Sequence, residues 1–346
     1  MTMELFYGWL RHKLALEFLE SQLVTKLPRP VVSQILQLGL YQLHFMKVPA
    51  HAAVHETVAL AKRHANKAEA GFINAVLRRS DSAALAKAPA WVRLSHPQWL
   101  YERHGTAWCE WNNQPPTVYA RGTEPWPGVL EPSGLHPLSY RIADPGKFFA
   151  APGKYYVQDP STLVAVDLLD PQPGETVLDM CAAPGGKTTY IAHKMQNRGE
   201  IIAADASSSR LGMVGENCRR LGVNIVATIA CESGRCLPAR NFDRVLVDAP
   251  CSNTGVLRRR PDLRWRITPG EVERLAKVQR HLLAAAVQLA KSGGVVVYST
   301  CSLEREENED VIASLKLPGW KLEAIRKSVP PQDKMDGAFA ARLRNG

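Results

Sequence analysis

The sequence of 346 residues predicts an α/β protein, a doubly wound, Rossmann-like sheet with a parallel core, preceded by an all-α domain. Three observations carry that prediction. From Tyr156 onward, short apolar runs alternate with helical stretches. From residue 1 to about 80, apolar residues recur at helical spacing. Within the α/β part, Val177 to Thr188 reads as a buried strand, a tight glycine turn and a helix start.

In the N-terminal part, Val32, Ile35, Leu36, Leu40 and Leu43 form the stripe of an amphipathic helix, with Pro28 and Pro30 at its start. Val54, Thr57, Val58 and Ala61 repeat the pattern after Pro49, and Phe72, Ala75 and Val76 mark a short helix closed by Arg78-Arg79. Residues 81–90 are small and weakly patterned, as in a linker. Residues 91–155 carry Trp91, Trp99, Trp108, Trp111 and Trp126 among many prolines. They are expected to form a small α/β insert whose tryptophans mostly pack into a core. The domains are therefore drawn at 1–80, 81–155 and 156–346. In the last, Val177–Asp179, Ile201–Ala204, Ile225–Thr228, Val245–Asp248 and Val295–Tyr298 read as strands. Ligands of such sheets gather beyond the carboxyl ends of the strands. Asp179, Asp205, Asp248 and Cys301 all sit at or just beyond such ends, so topology predicts one shared site.

The turn narrows the ligand. Gly186-Lys187-Thr188 looks like the end of a phosphate-binding loop, but Cys181 stands where that loop needs its first glycine. The G-x-G-x-x-G dinucleotide pattern is absent. Asp205 follows the run Ile201 to Ala204, and a carboxylate ending a second strand holds ribose hydroxyls. A glycine turn plus that carboxylate, without a phosphate anchor, fits S-adenosylmethionine.

Asp179-x-Cys181-Ala182-Ala183-Pro184-Gly185-Gly186-Lys187-Thr188 resembles the cofactor loop of the RNA (cytosine-5) methyltransferases. Asp248-Ala249-Pro250-Cys251-Ser252 and Ser299-Thr300-Cys301-Ser302 agree with that family in order and type, so the resemblance covers about residues 150 to 346. Gly39-Leu40-Tyr41-Gln42-Leu43, Val48-Pro49-Ala50-His51-Ala52 and Gly71-Phe72-Ile73-Asn74-Ala75 resemble a NusB-type RNA-binding domain. That domain usually has one more helix before the one that begins here near Glu4. The combination resembles the bacterial 16S rRNA (cytosine-5) methyltransferases of the Sun/Fmu type.

Carbon 5 of cytosine attacks a methyl sulfonium only after a nucleophile has added to carbon 6, a step suited to a cysteine thiolate. Two thiols qualify. The resemblance implies that Cys301 attacks, that Cys251 aids product release, and that Asp248 serves both the cytosine N3/N4 edge and the cofactor. It further implies cofactor contacts from Cys181, Ala182, Ala183, Pro184, Gly185, Gly186, Lys187 and Asp205. Glu232 stands where the family usually has an aspartate near the adenine. Leu257 to Arg266 packs five arginines around Trp265, which predicts an RNA-contacting loop.

The net charge is +10, with 16 basic against 11 acidic groups in residues 1–150 and 27 against 22 in 151–346. A basic surface on both halves favours a polyanionic partner, expected to be 16S rRNA, including a partly assembled small subunit. His51 and His55 lie at helical spacing, but no third ligand accompanies them, and the seven cysteines show no paired metal spacing; no metal is expected. An odd cysteine count, no secretion signal and no run of about 18 apolar residues predict a cytoplasmic chain with reduced thiols and no membrane partner. A monomer is expected. Two other readings share these motifs: cytosine-5 methylation of tRNA or of another rRNA site, and a non-catalytic NusB-like antitermination factor.

Overall fold

The structure, a computed structural model, describes residues 2–46, 48–231, 241–315 and 318–346. They fall into two compact units: residues 1–115 with 257–266, and residues 116–256 with 267–346.

The first unit is helical: α1 (Thr2–Arg11), α2 (Lys13–Leu23), α3 (Pro30–His44), α4 (Ala50–His64), α5 (Lys67–Arg78), α6 (Ala90–Arg93) and α7 (Gln98–Asn113). Pro30 opens α3, where its missing N–H costs nothing. Asn66 and Glu69 cap α5 reciprocally. The α3 stripe is the core: Val32, Ile35, Leu36 and Leu40 are buried against Leu16 and Leu19 of α2 and Ile73, Val76 and Leu77 of α5. In α5 the inner face runs through Ala70, Ile73 and Val76, which turns Ala75 outward, because this phase buries more apolar surface than the expected one.

Two expectations change here. The helical unit continues past residue 80 to Pro115, and Trp108 is buried in α7 against His96 and His104. It also claims residues 257–266. Arg264 in that segment is fully buried. Its guanidinium donates to the carbonyls of Arg11 (3.2 Å), Ser95 (3.1 Å) and Asn112 (3.0 Å) and to Asn113 Oδ1 (2.8 Å). Trp265 Nε1 donates to Leu10 O, and Arg258 lies over Trp111 and donates to Pro115 O. Arg258, Arg264 and Trp265 are thus held within the helical unit, and Arg260 and Arg266, near Asp262, stay exposed. The expectation that all five arginines and Trp265 face RNA is corrected for Arg258, Arg264 and Trp265, whose partners lie in the helical unit. Helix ends present carbonyls that guanidinium donors satisfy, which is a use of arginine that composition does not reveal.

The second unit opens with a small antiparallel sheet of β1 (Tyr119–Arg121), β2 (Leu130–Pro132), β3 (Ser139–Ile142) and β4 (Tyr156–Val157), in order β2-β3-β1-β4, packed on Phe148 of α8 (Pro145–Ala150). The stretch expected as one insert at 81–155 is therefore divided, its helices in one unit and its strands in the other.

The large sheet has seven strands: β5 (Thr176–Asp179), β6 (Glu200–Asp205), β7 (Val226–Ala230), β8 (Phe242–Asp248), β9 (Ala290–Thr300), β10 (Trp320–Ser328) and β11 (Ala338–Asn345), in order β10-β11-β9-β8-β5-β6-β7. The five expected strands, β5 to β9, pair in parallel, and β11 runs antiparallel to both β9 and β10. Residues alternate between two covered faces, as a parallel sheet requires. Leu178, Val245, Val247, Val296 and Tyr298 face Leu282, Leu283 and Ala286 of α12 (Pro269–Gln288) and Val311 of α13 (Glu309–Ser314). Val177, Leu246, Val295 and Val297 face α9 (Val164–Leu169) and α10 (Gly186–Lys194). The remaining crossover helix, α11 (Ser208–Leu221), buries Leu211 and Val214 under the turn after β5. The strand order reverses beside β5, which is where such sheets hold ligands.

Candidate active site

The turn after β5 is built by its neighbours. Met180 N–H donates to Leu246 O and Ala182 N–H to Ala204 O, so the chain leaving β5 is pinned to β8 and β6. Gly185 turns the chain at φ 103°, where a Cβ would meet the Val214 backbone at 3.2 Å. A Cβ on Gly186 would meet the Tyr156 ring at 2.9 Å. Both positions exclude a side chain and bring the backbone close to its surroundings. Arg121 of β1, between the rings of Tyr156 and Tyr190, donates to Gly186 O (2.7 Å) and Thr189 Oγ1 (2.8 Å) and fixes the first turn of α10. Sequence reading missed Arg121, since nothing local marks it.

Three acidic residues end three adjacent strands. Asp179, ending β5, is fully buried and accepts from Thr188 Oγ1 at 2.7 Å. Burial pushes its pKa up to about 7, against the Thr188 hydrogen bond and with Asp248 adding to the rise. Asp205, ending β6, accepts from the N–H groups of Ala183 (3.2 Å) and Ser207 (3.0 Å) and lies 3.6 Å from Arg210. Asp248, ending β8, accepts from Ser299 Oγ (2.8 Å) and Lys187 Nζ (2.6 Å). Burial works against the charge of Lys187, but Asp248, with Cys301 and Asp179, holds its pKa above the ordinary lysine value.

The two thiols meet. Cys251 Sγ lies 3.4 Å from Cys301 Sγ, because β8 and β9 are parallel neighbours with Asp248 opposite Ser299. Cys301 donates to Asn253 Oδ1 at 3.1 Å, and Asn253 Nδ2 donates to Cys251 O at 2.6 Å. Asn253 is itself in the left-handed conformation that asparagine tolerates better than most residues. The neighbouring thiol and burial push the Cys251 pKa well up. Cys181 is raised by burial and the surrounding carboxylates, which marks it as an unreactive thiol.

One cavity of 480 Å³ is lined by Cys181, Ala183, Lys187, Asp205, Asp248, Cys251 and Cys301. Ala182 is buried behind it, and Pro184, Gly185 and Gly186 complete the turn. Glu232 lies outside the described residues. A larger cleft of 1310 Å³ lies in the helical unit beside α4 and α5; its lining holds His51 and His55 but no carboxylate and no thiol. Among the described residues no cluster could hold a metal ion, and no helix is long and apolar enough to cross a membrane.

The cavity suits S-adenosylmethionine. Its lining combines the carboxylate of Asp205 with the small side chains of Ala183, Ala206 and Ala249. Its two lining cations, Lys187 and Arg210, are each paired with a carboxylate, Asp248 and Asp205, which leaves no unpaired cation in the lining for a nucleotide's phosphates. Fold and site together define an S-adenosylmethionine-dependent methyltransferase. Residues 166–344 match the family described as 16S rRNA methyltransferase RsmB/F, and residues 1–82 match the NusB family. The chain is 35% identical over 349 residues to the probable ribosomal RNA small subunit methyltransferase B of Bacillus subtilis, covering 89% of this chain and 78% of that protein. It is 36% identical over 391 residues to ribosomal RNA small subunit methyltransferase B of Citrobacter koseri, covering 99% and 90%. A solved methyltransferase homolog protein from Pyrococcus horikoshii superimposes with a TM-score of 0.65 at 27% identity, covering 74% of this chain and 98% of that one. The chain belongs to the 16S rRNA methyltransferase RsmB/F family, with a NusB domain at its N-terminus.

Proposed function

We propose that the protein transfers a methyl group to carbon 5 of a cytosine in 16S rRNA, with Cys301 as nucleophile and Cys251 as the group that promotes release. The observation that carries this reading is the pair of thiols 3.4 Å apart in a cavity that also holds the Asp248–Lys187 pair. Bound S-adenosylmethionine supplies an electrophilic methyl group. Asp205 binds ribose hydroxyls, and Cys181 to Lys187 wall the cofactor. The Cys301 sulfur bonds to carbon 6, which makes carbon 5 an enamine carbon able to take the methyl group. Asp248 holds the cytosine N3/N4 edge as charge develops there. Loss of the carbon 5 proton to a base then lets the sulfur–carbon 6 bond break, and Cys251 serves that elimination. The helical unit, residues 1–115 with 257–266, binds the RNA through its NusB-like part, and the unit of residues 116–256 and 267–346 carries the chemistry. The protein acts as a cytoplasmic monomer, on rRNA that includes the partly assembled small subunit.

Bisulfite sequencing of rRNA and tRNA from cells with and without the gene tests the substrate; unchanged 16S cytosines would reject it. The thiols are tested separately. Cys251→Ala should accumulate a protein–RNA adduct that survives denaturing electrophoresis, whereas Cys301→Ala and the double variant should form none. The reverse pattern would exchange the two roles.

A further inference from the structure

Behind the two thiols stands a carboxylate that takes no part in the steps above. Glu307, in the run Arg305-Glu306-Glu307-Asn308-Glu309-Asp310, is fully buried. A charged run of this kind ordinarily reads as a solvated face, but Glu307 and Asn308 are both buried. Glu307 Oε1 accepts from the N–H of Ser252 (2.8 Å) and from Gln279 Nε2 (3.0 Å). Its Oε2 accepts from the hydroxyls of Ser252 and Ser302, the latter at 2.5 Å. Four donors fill the acceptor sites of one ionised carboxylate, which repays a burial that otherwise raises its pKa.

The donors matter for where they lie. Ser252 follows Cys251 in the chain, and Ser302 follows Cys301. Gln279 of α12 joins the same point, donating also to Pro250 O at 2.9 Å. The next residue grips the second loop from its other side: Asn308 Nδ2 donates to Ser302 O (2.9 Å), and Thr300 Oγ1 donates to Asn308 Oδ1 (2.6 Å).

We propose that Glu307 is a positioning residue, whose carboxylate ties Ser252 to Ser302 and thereby sets the spacing of Cys251 and Cys301. The proposal rests on the reading that both thiols act on one cytosine. Attack needs only Cys301, but release needs Cys251 at the correct distance from the same adduct. Loosening the tie therefore slows elimination more than attack. A carboxylate that merely stabilised the fold would lower the amount of active protein and leave the ratio of adduct to product unchanged.

The test follows the full-length protein with 16S rRNA and S-adenosylmethionine, reading methylated product and denaturation-resistant adduct together, with cofactor binding by calorimetry as the check on folding. Glu307→Ala should bind cofactor as the parent does, lose turnover by about 100-fold, the scale of a small misplacement of reacting groups, and accumulate adduct. Glu307→Gln keeps an oxygen for Ser252 N–H and Gln279 and an amide that both hydroxyls can accept, and it should recover most of the turnover. Ser302→Ala removes one arm of the tie and should fall between parent and Glu307→Ala in its adduct-to-product ratio, which keeps the proposal testable if Glu307→Ala does not fold. A parental ratio in folded Glu307→Ala, or in Ser302→Ala, overturns the proposal alone, provided Cys251→Ala traps RNA. Full turnover in Cys301→Ala would overturn the two-thiol reading, and this inference with it.

Discussion

Arg264 separates the tertiary reading of the arginine-rich segment from the compositional one. Its side chain is fully buried, and four acceptors depend on it: the carbonyls of Arg11, Ser95 and Asn112 and the amide oxygen of Asn113. Burial lowers its pKa to about 9, so the guanidinium stays charged at neutral pH. Arg264→Ala leaves those acceptors buried without a donor, at about 1–3 kcal/mol for each. The four share one group and do not add in full, which puts the loss at about 4 kcal/mol or more. For a unit of this size that lowers the unfolding midpoint by about 10–20 °C. Arg264→Lys, whose single ammonium cannot reach four acceptors, should show part of the same loss. Arg260, exposed and 3.8 Å from Asp262, is the control, and Arg260→Ala should leave the stability within about 0.5 kcal/mol of the parent. Scanning calorimetry reads the transition, and filter binding reads RNA affinity. If Arg264→Ala melts with the parent and only RNA affinity falls, the argument that this arginine serves the helical unit is wrong.

Three further outcomes are expected. The Asp179 carboxyl has a folded pKa of about 7 against an ordinary 3.8, so its contribution is fully stabilising below pH 3.8 and is lost as pH rises to about 7; Asp179→Asn should raise the urea midpoint over the parent at pH 8, with the gain shrinking toward pH 4, and a gain that grows on acidification would refute the sign. Lys187→Met removes a short charge-assisted bond to Asp248 within a mostly buried pair, and should cost about 2 kcal/mol in chemical denaturation; an unchanged midpoint would show the pair to be energetically idle. Asp205→Ala should weaken S-adenosylmethionine binding by at least about tenfold in calorimetry, a loss of about 1.4 kcal/mol, and parental affinity would remove Asp205 from the cofactor site.

Much of the site was legible in the chain because its signals are local. A glycine turn between a strand and a helix, carboxylates at strand ends and thiols beside Pro250 and Thr300 each announce themselves within a few residues. Parallel strands then place their ends together, so Asp179, Asp205, Asp248 and Cys301 could be expected in one place before any neighbour was known. The spacing of the helical stripe worked for the same reason, since Val32, Ile35, Leu36 and Leu40 repeat at the period that one helix face buries.

What only the tertiary structure decided concerns groups whose partners are far away in the chain. Arg264 and Trp265 look like an RNA-binding pair until the carbonyls of Leu10, Arg11, Ser95 and Asn112 close around them. Glu307 looks solvated until Ser252, Gln279 and Ser302 meet it. Charge and hydrogen-bonding capacity belong to the residue, but whether water or protein satisfies them depends on which segments fold next to each other. The sequence by itself therefore determined the strand-turn-helix chemistry of the cofactor loop and the identity of the two thiols. The 3.4 Å that separates those thiols, and the buried groups that hold their loops, were decided by the pairing of β8 with β9, which no local pattern encodes.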